Sequence, residues 1–295
     1  MDLITTHLEQ LIQTLQNNKA LWVFSAALLS MIVGSFLNVV ISRLPPAMEL
    51  ESQYECRQYL GIEEPEETRN TQASVPSALS WPPSHCPTCK KRLKLLHNIP
   101  VISYIFLKGR CAFCSATISS IYPCVELLTA FLGGMVAHVL GASVGAAMGL
   151  LFVYYLIALT FIDAKHKILP DSLTLPLLWL GLVVNSFSVF TTLEAALWGA
   201  VAGYLTLWIA YWSVYLLTGK QSMGYGDFKL LAALGAWLGW EALPVIVLLS
   251  SLAGLIAILV SRALFSRTDP QMPFGPFMAA SGPVYLLGFS GNLLF

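Results

Sequence analysis

Two aspartates lie at the ends of apolar stretches, where a membrane protein rarely places a charge. Asp227 follows two glycines in Met223-Gly224-Tyr225-Gly226-Asp227-Phe228-Lys229, and Asp163 ends the apolar run before Ala164-Lys165. A carboxylate at membrane depth is costly, so it indicates a function and a partner. The interval between the two aspartates is long enough for two helices, which would return both to one membrane face. Such a pair can hydrolyse a peptide bond if one carboxylate activates water and the other polarises the carbonyl.

Two other functions also use residues of this kind. A proton relay in a transporter contains intramembrane carboxylates, but the chain has no matched pair of broken hydrophobic segments that would indicate inverted repeats. A non-catalytic assembly scaffold would not require two aligned aspartates. We therefore favour a protease, in which either aspartate can be the base.

Four cysteines form two C-x2-C pairs separated by 21 residues. On a reducing, cytoplasmic side, this pattern predicts a tetrathiolate metal site, most simply zinc, although sulfur ligation also suits iron. Four reduced thiols or a dithiol redox pair are the alternatives. A module this small needs a metal to hold it together. The four residues are Cys86, Cys89, Cys111 and Cys114.

Composition places these residues in a membrane protein. The chain is 56% hydrophobic and 11% charged, with a mean hydropathy of +0.70, whereas soluble domains carry about 25% charged residues. The fold expected is an all-α polytopic membrane protein of about eight transmembrane helices with a small cytoplasmic zinc-binding module. The apolar stretches are Leu21–Ser42, Pro123–Leu140, Gly145–Ile162, Ser172–Phe190, Leu193–Leu217, Phe228–Trp240, Ala242–Phe265 and Phe274–Leu294.

The basic residues predict the orientation of the chain. The connections near Gly141, Thr191 and Glu241 contain no Lys or Arg. Nearly all the basic residues lie in the long loop after the first stretch and in the alternate connections that follow it. Because basic residues stay inside, we expect both termini outside and the long loop in the cytoplasm. Asp163 and Asp227 then lie at the cytoplasmic ends of their helices.

Local signals predict how the elements begin and end. Pro45-Pro46 cannot continue a helix, so the first helix should end there. The polar insertion Met48–Pro83 is expected to be a surface loop or partly disordered. Asp171 is expected to cap the helix that it begins, and Glu126 either favours a helix dipole or faces a cofactor pocket. Small residues are expected to permit close helix contact, among them Gly199, Gly203 and Gly235.

Taken together, the motifs resemble the prepilin peptidases, the bifunctional leader peptidases of type IV pili and type II secretion. The aspartate and glycine box is specific only in combination with the upstream aspartate and the cysteine module. The matching segments are 34–41, the two cysteine pairs, 99–104, Ile162-Asp163, 169–174 and 224–229.

This resemblance implies an intramembrane aspartic endopeptidase that is also a methyltransferase. It would cut a basic leader from prepilins and pseudopilins and then methylate the new N-terminal amine with S-adenosylmethionine. The implied catalytic residues are Asp163 and Asp227, the implied metal ligands are Cys86, Cys89, Cys111 and Cys114, and the positions linked to methyl transfer are Gly109 and Glu126.

The resemblance also implies a location and a division of the chain. We expect a multi-pass protein of the bacterial inner membrane, with its active site facing the cytoplasm and zinc and S-adenosylmethionine as cofactors. Its partners would be prepilins, pseudopilins and the lipid bilayer, with no nucleic acid. The predicted parts are an N-terminal flank (1–20), a first transmembrane helix (21–42), a cytoplasmic loop with the methyltransferase-associated zinc module (43–122) and a seven-helix protease domain (123–295).

Overall fold

The computed structural model describes residues 17–61, 83–86, 88–93, 99–220, 223–265 and 273–289. Within these ranges the chain forms nine α-helices and no β-strand, which confirms the predicted all-α class. The helices are α1 Lys19–Tyr59, α2 Ile102–Phe106, α3 Ile121–Leu140, α4 Val144–His166, α5 Asp171–Asn185, α6 Leu193–Thr218, α7 Tyr225–Leu238, α8 Leu243–Phe265 and α9 Gly275–Phe289.

Eight of these helices overlap the eight predicted apolar stretches, one helix for each stretch. Five are long and apolar enough to cross a membrane, namely α1, α3, α4, α6 and α8 with the short turn before it. The other three, α5, α7 and α9, have 15, 14 and 15 residues. At 1.5 Å per residue they are shorter than the bilayer core of about 30 Å. The chain is therefore a multi-pass membrane protein with three short helices among its long ones.

Helix α1 is much longer than the sequence predicted. It continues for 41 residues through Pro45 and Pro46, so the expectations that it ends there and that a loop begins at Met48 are wrong. Leu44 and Ala47 are buried on either side of the two prolines, and this packing outweighs the lost backbone hydrogen bonds. The rest of the predicted loop, residues 62–82, lies outside the described residues.

The chain divides into two compact units, one comprising Leu29–Ala130 and the other the chain up to Leu28 and from Phe131 onward. In the latter, α7 is the central helix and packs against α5 and α6, while α4 and α8 pack against α9. Every residue from Leu230 to Leu238 is buried. The core of this unit therefore surrounds the helix that begins just before Asp227.

Glycines allow α6 to pack directly on the backbone of α7, as predicted. Gly199 lies against Gly235, and a Cβ atom on Gly203 would stand 2.6 Å from the carbonyl oxygen of Leu231. The other side of α7 is tied to α5 by Trp237, whose indole Nε1 donates to the carbonyl of Leu177 at 2.7 Å. Contacts on two sides thus fix α7 and the position of its first turn.

Candidate active site and metal centre

The two aspartates of the predicted pair lie in the same unit and are both buried. Asp163 stands near the C-terminal end of α4 and is 5% exposed, whereas Asp227 stands in the first turn of α7 and is 9% exposed. Helix α7 begins at Tyr225 because Gly224 has an extended backbone. The unpaired amides of a helix start favour a carboxylate at the position of Asp227.

Asp163 and Asp227 lie in the same part of this unit, because Leu169 packs against both Gly226, which precedes Asp227, and Gly275, which contacts the Asp163 carboxylate. Two carboxylates that lie close together are costly to ionise at the same time, so such a pair can share one proton. Such a pair contains both a base and an acid, which is the arrangement that peptide hydrolysis needs. The catalytic role of the two aspartates remains a prediction.

Backbone amides from two glycines hold the carboxylates. The amide of Gly275 donates to Asp163, and the amide of Gly224 donates to Asp227. Gly275 begins α9, and a Cβ atom there would collide with Oδ2 of Asp163. Gly275 is not among the predicted site residues, although in the run Pro273-Phe274-Gly275-Pro276 it stands between two prolines.

Leu169 forms a side wall of this site. A Cβ atom on Gly226 would stand 2.8 Å from the Cβ atom of Leu169, and one on Gly275 would stand 3.1 Å from its Cδ1 atom. The same Cβ position on Gly275 would also be 3.1 Å from Cγ of Asp163. Leu169 therefore lies between the two glycines, beside the carboxylate of Asp163.

Asp171 pairs with Lys229 instead of capping its helix. Helix α5 begins at Asp171 as expected, but the capping residue is Pro170 and no side chain accepts a capping hydrogen bond. The expected cap is therefore wrong. Nζ of Lys229 donates to Oδ1 and Oδ2 of Asp171 at 2.6 and 2.7 Å. Because Lys229 is two residues after Asp227, this ion pair ties the start of α5 to the N-terminal part of α7.

The four predicted cysteines cluster in the other unit. Their sulfur atoms all lie within 4.8 Å of one another. Each C-x2-C pair is closed by an antiparallel bridge, His85 with Arg92 and Arg110 with Thr117. Lys90 and Ser115, the residues after each pair, have φ angles of 57° and 58°. Two equivalent knuckles thus converge on one point.

The chemistry of this cluster fits a metal ion. A backbone hydrogen bond from Cys89 lowers the pKa of the Cys86 thiol to about 6, whereas, against a backbone hydrogen bond from Ala116 that lowers it, burial and the other three thiols raise the pKa of Cys114 to about 11. Cys86 is therefore the ligand available as a thiolate at neutral pH. Cys86 and Cys111 are buried, and Nζ of Lys91 in the first knuckle lies 5.5 Å from the ring centre of Phe113 in the second. Cys56 and Cys124 are outside the cluster and exposed.

Glu126 accepts hydrogen bonds from three residues of its own unit. Its Oε2 atom accepts the amide of Val101 at 2.7 Å, and the side chains of Ser35 and Asn38 also bond to the carboxylate. Glu126 is the sixth residue of α3, beyond the first turn where a helix dipole acts. Of the two readings left open, the dipole role does not fit; the cofactor role remains a prediction.

The segment held by Glu126 has an unusual backbone. Val101 has φ 56° and ψ −47°, a conformation that is rare for a β-branched residue and occurs where the surroundings enforce it. Gly109, a few residues later, has φ 68°, and a Cβ atom there would stand 3.0 Å from the Tyr104 hydroxyl. Gly109 therefore allows the chain to turn in close contact with the side chain of Tyr104. Its link to a cofactor remains a prediction.

Comparison with known proteins gives a consistent result over nearly the whole chain. Residues 28–140 match the bacterial peptidase A24 N-terminal domain, and residues 150–259 match the type IV leader peptidase family. The prepilin leader peptidase/N-methyltransferases of Stutzerimonas stutzeri and Pseudomonas aeruginosa are 47% and 46% identical over 277 and 278 residues, which is 94% of each chain. The protein of that name from Aeromonas hydrophila is 50% identical over 268 residues, 88% of each chain. No solved structure matches the chain.

Proposed function

Because the chain belongs to the type IV leader peptidase family, we propose that it removes the leader peptide from prepilins and methylates the new N-terminal residue. The substrates would be type IV prepilins and type II secretion pseudopilins. The observation that carries the proposal is the pair of buried carboxylates, Asp163 and Asp227, at two helix ends that both lie beside Leu169. Relatives at this identity carry both activities in their name.

In the proposed peptidase reaction, Asp163 and Asp227 share one proton. The ionised carboxylate takes a proton from water, and the water oxygen bonds to the carbonyl carbon. The protonated carboxylate gives its proton to the carbonyl oxygen. When the resulting tetrahedral intermediate collapses, the C–N bond breaks, the leaving nitrogen takes a proton from one carboxylate, and a hydroxyl of the intermediate returns its proton to the other carboxylate. The amides of Gly275 and Gly224 would keep the two carboxylates in position throughout.

The proposed site faces the cytoplasm of a bacterium at its inner membrane. The basic connections that follow α1, α4 and α6 support this orientation, because Lys and Arg stay on the cytoplasmic side. Asp163 and Asp227 stand at the ends of helices that meet these connections. Water would then reach the carboxylates without crossing the bilayer core.

We propose zinc for the four-cysteine cluster and S-adenosylmethionine as the methyl donor. Cys86, Cys89, Cys111 and Cys114 would fill all four zinc positions, so the metal would hold the module together rather than react. S-adenosylmethionine supplies the methyl group that the new amine receives. In the proposal, residues 43–122 serve methylation and residues 123–295 serve cleavage, after a flank (1–20) and the first membrane segment (21–42).

Gly109 and Glu126 are proposed residues of the S-adenosylmethionine site. Glu126 holds the strained amide of Val101, and Gly109 turns the chain a few residues later. Glu126 and Gly109 therefore fix the shape of the segment from Val101 to Gly109. Because this backbone is already fixed, ligand binding would not incur the entropic cost of ordering the segment.

One assay tests both activities together. The purified protein is incubated with a prepilin in detergent or lipid, with and without S-adenosylmethionine, and the product masses are measured. We expect loss of the leader in both reactions and one added methyl group only with S-adenosylmethionine. Recovery of the prepilin at its original mass in both reactions would refute the proposal.

A further inference from the structure

We infer that Leu169 determines substrate specificity, because its side chain limits the size of the residue that can lie against the two carboxylates. This inference rests on the proposed peptidase function. It concerns the substrate residues on either side of the cleaved bond. The side chain of Leu169 would set the largest residue that fits there.

The walls beside the carboxylates are made of two glycines and one leucine. Gly226 precedes Asp227 directly, and Gly275 donates its amide to Asp163. Neither position has room for a Cβ atom, because Leu169 stands against both and the Asp163 carboxylate stands against Gly275. Among these three wall residues, Leu169 alone has a side chain that can narrow or widen the site.

Leu169 is fixed in place by short-range anchors on both sides. Helix α4 ends with a left-handed Lys167, whose amide donates to the carbonyl of Asp163 at 2.8 Å. Helix α5 begins at Asp171, which is paired with Lys229, and Pro170 before it is buried. Only Ile168 and Leu169 lie between the last residue anchored to α4 and the proline that caps α5. Leu169 therefore cannot withdraw far without breaking one of these anchors.

A substrate must bring its scissile carbonyl close to the carboxylates, at about 3–3.5 Å from the attacking atom. Leu169 and the Asp163 carboxylate both lie against the Cβ position of Gly275, so they are close neighbours. A large side chain next to that carbonyl would therefore collide with Leu169. A small side chain would not. In a hydrophobic substrate pocket, one methylene group changes discrimination by about 10–200-fold. Truncation of Leu169 should therefore relax the size limit.

The test is a matrix of enzyme variants and substrates. The substrates are one prepilin with Gly, Ala, Val or Leu at the residue before the scissile bond, and a second set with the same four residues after it. The enzymes are the full-length wild type, Leu169→Ala, Leu169→Val and the control Ile168→Ala, which removes an exposed neighbour in the same connection. Cleavage rates are expressed relative to the best substrate of each enzyme.

We expect the wild type and Ile168→Ala to favour the small residues at one of the two positions. Leu169→Ala should raise the relative rate for Val or Leu there by about tenfold or more, and Leu169→Val should raise it less. If Leu169→Ala does not fold, the Leu169→Val result decides. Unchanged size profiles at both positions, in variants that still cleave, would overturn the inference. A wild type that cleaves no prepilin would instead refute the proposed function.

Discussion

The backbone amide of Gly275 donates a hydrogen bond to the carboxylate of Asp163. It joins the start of α9 to the end of α4, two helices far apart in the sequence that pack against each other. The site is therefore built from three segments rather than from the two that carry the aspartates. Because a Cβ atom on Gly275 would collide with Asp163, the third segment requires glycine.

We predict that Gly275→Ala lowers prepilin cleavage by about a hundredfold, because displacing a catalytic group by about 1 Å can cost that much. The control is Gly288→Ala in the same helix, where no atom lies within 4 Å of the added methyl group. Both variants are assayed at matched amounts of folded protein in the membrane. Equal cleavage by Gly275→Ala and Gly288→Ala would contradict the importance of the Gly275 contact.

The ion pair between Lys229 and Asp171 should matter more for cleavage than for stability. The two side chains are 28% and 55% exposed, and exposed pairs contribute only up to about 1 kcal/mol. We expect the reversals Lys229→Asp and Asp171→Lys each to reduce cleavage severalfold, because the wall at Leu169 loses an anchor. The double reversal should recover most of the rate. If the double variant is as slow as the worse single variant, the pair does not position the wall.

The sequence was informative about the residues that carry charge or sulfur. Asp163 and Asp227 could be expected at one place because each borders an apolar stretch on the same predicted side. The cysteines could be expected together because of their spacing. Leu169 and Gly275 could not be found in this way. Their importance comes from contacts with residues distant in the sequence, and neither a leucine nor a glycine is unusual in a membrane protein.

The course of α1 shows why a local rule failed. The rule that Pro45-Pro46 ends a helix considers only the lost amide donors and the ring clash. Burial of Leu44 and Ala47 acts in the opposite direction and depends on the folded chain. The same limit applies to Asp171, whose partner Lys229 lies in another helix and is invisible to a rule about capping.

The cysteine cluster should bind about one zinc ion per chain. We predict that the double variant Cys86→Ser, Cys111→Ser loses the metal, whereas Cys56→Ser, an exposed cysteine outside the cluster, retains it. Elemental analysis of freshly purified, unchelated protein measures both. Absence of metal from the wild type, or equal metal in the two variants, would contradict the proposed site. Loss of metal should also reduce methylation more than cleavage, because local unfolding would be confined to the module.

The two activities should separate at Asp227. We predict that Asp227→Asn still methylates a mature, unmethylated pilin, because the amine is already exposed and the proposed methyl-transfer residues belong to a different unit. Labelled S-adenosylmethionine measures the transfer, and wild type with the same pilin is the control. A wild type that labels the pilin beside an Asp227→Asn variant that does not would contradict separate sites.

The most direct test of the account is leader cleavage by Asp163→Asn and Asp227→Asn. Each substitution keeps the size of the side chain but removes its ability to exchange a proton, so we expect each to lower cleavage by at least about a thousandfold. Insertion into the membrane should be unchanged, and the amount of protein is matched to wild type before a prepilin is added. Near-normal cleavage by either variant would contradict the proposal that these two carboxylates act together.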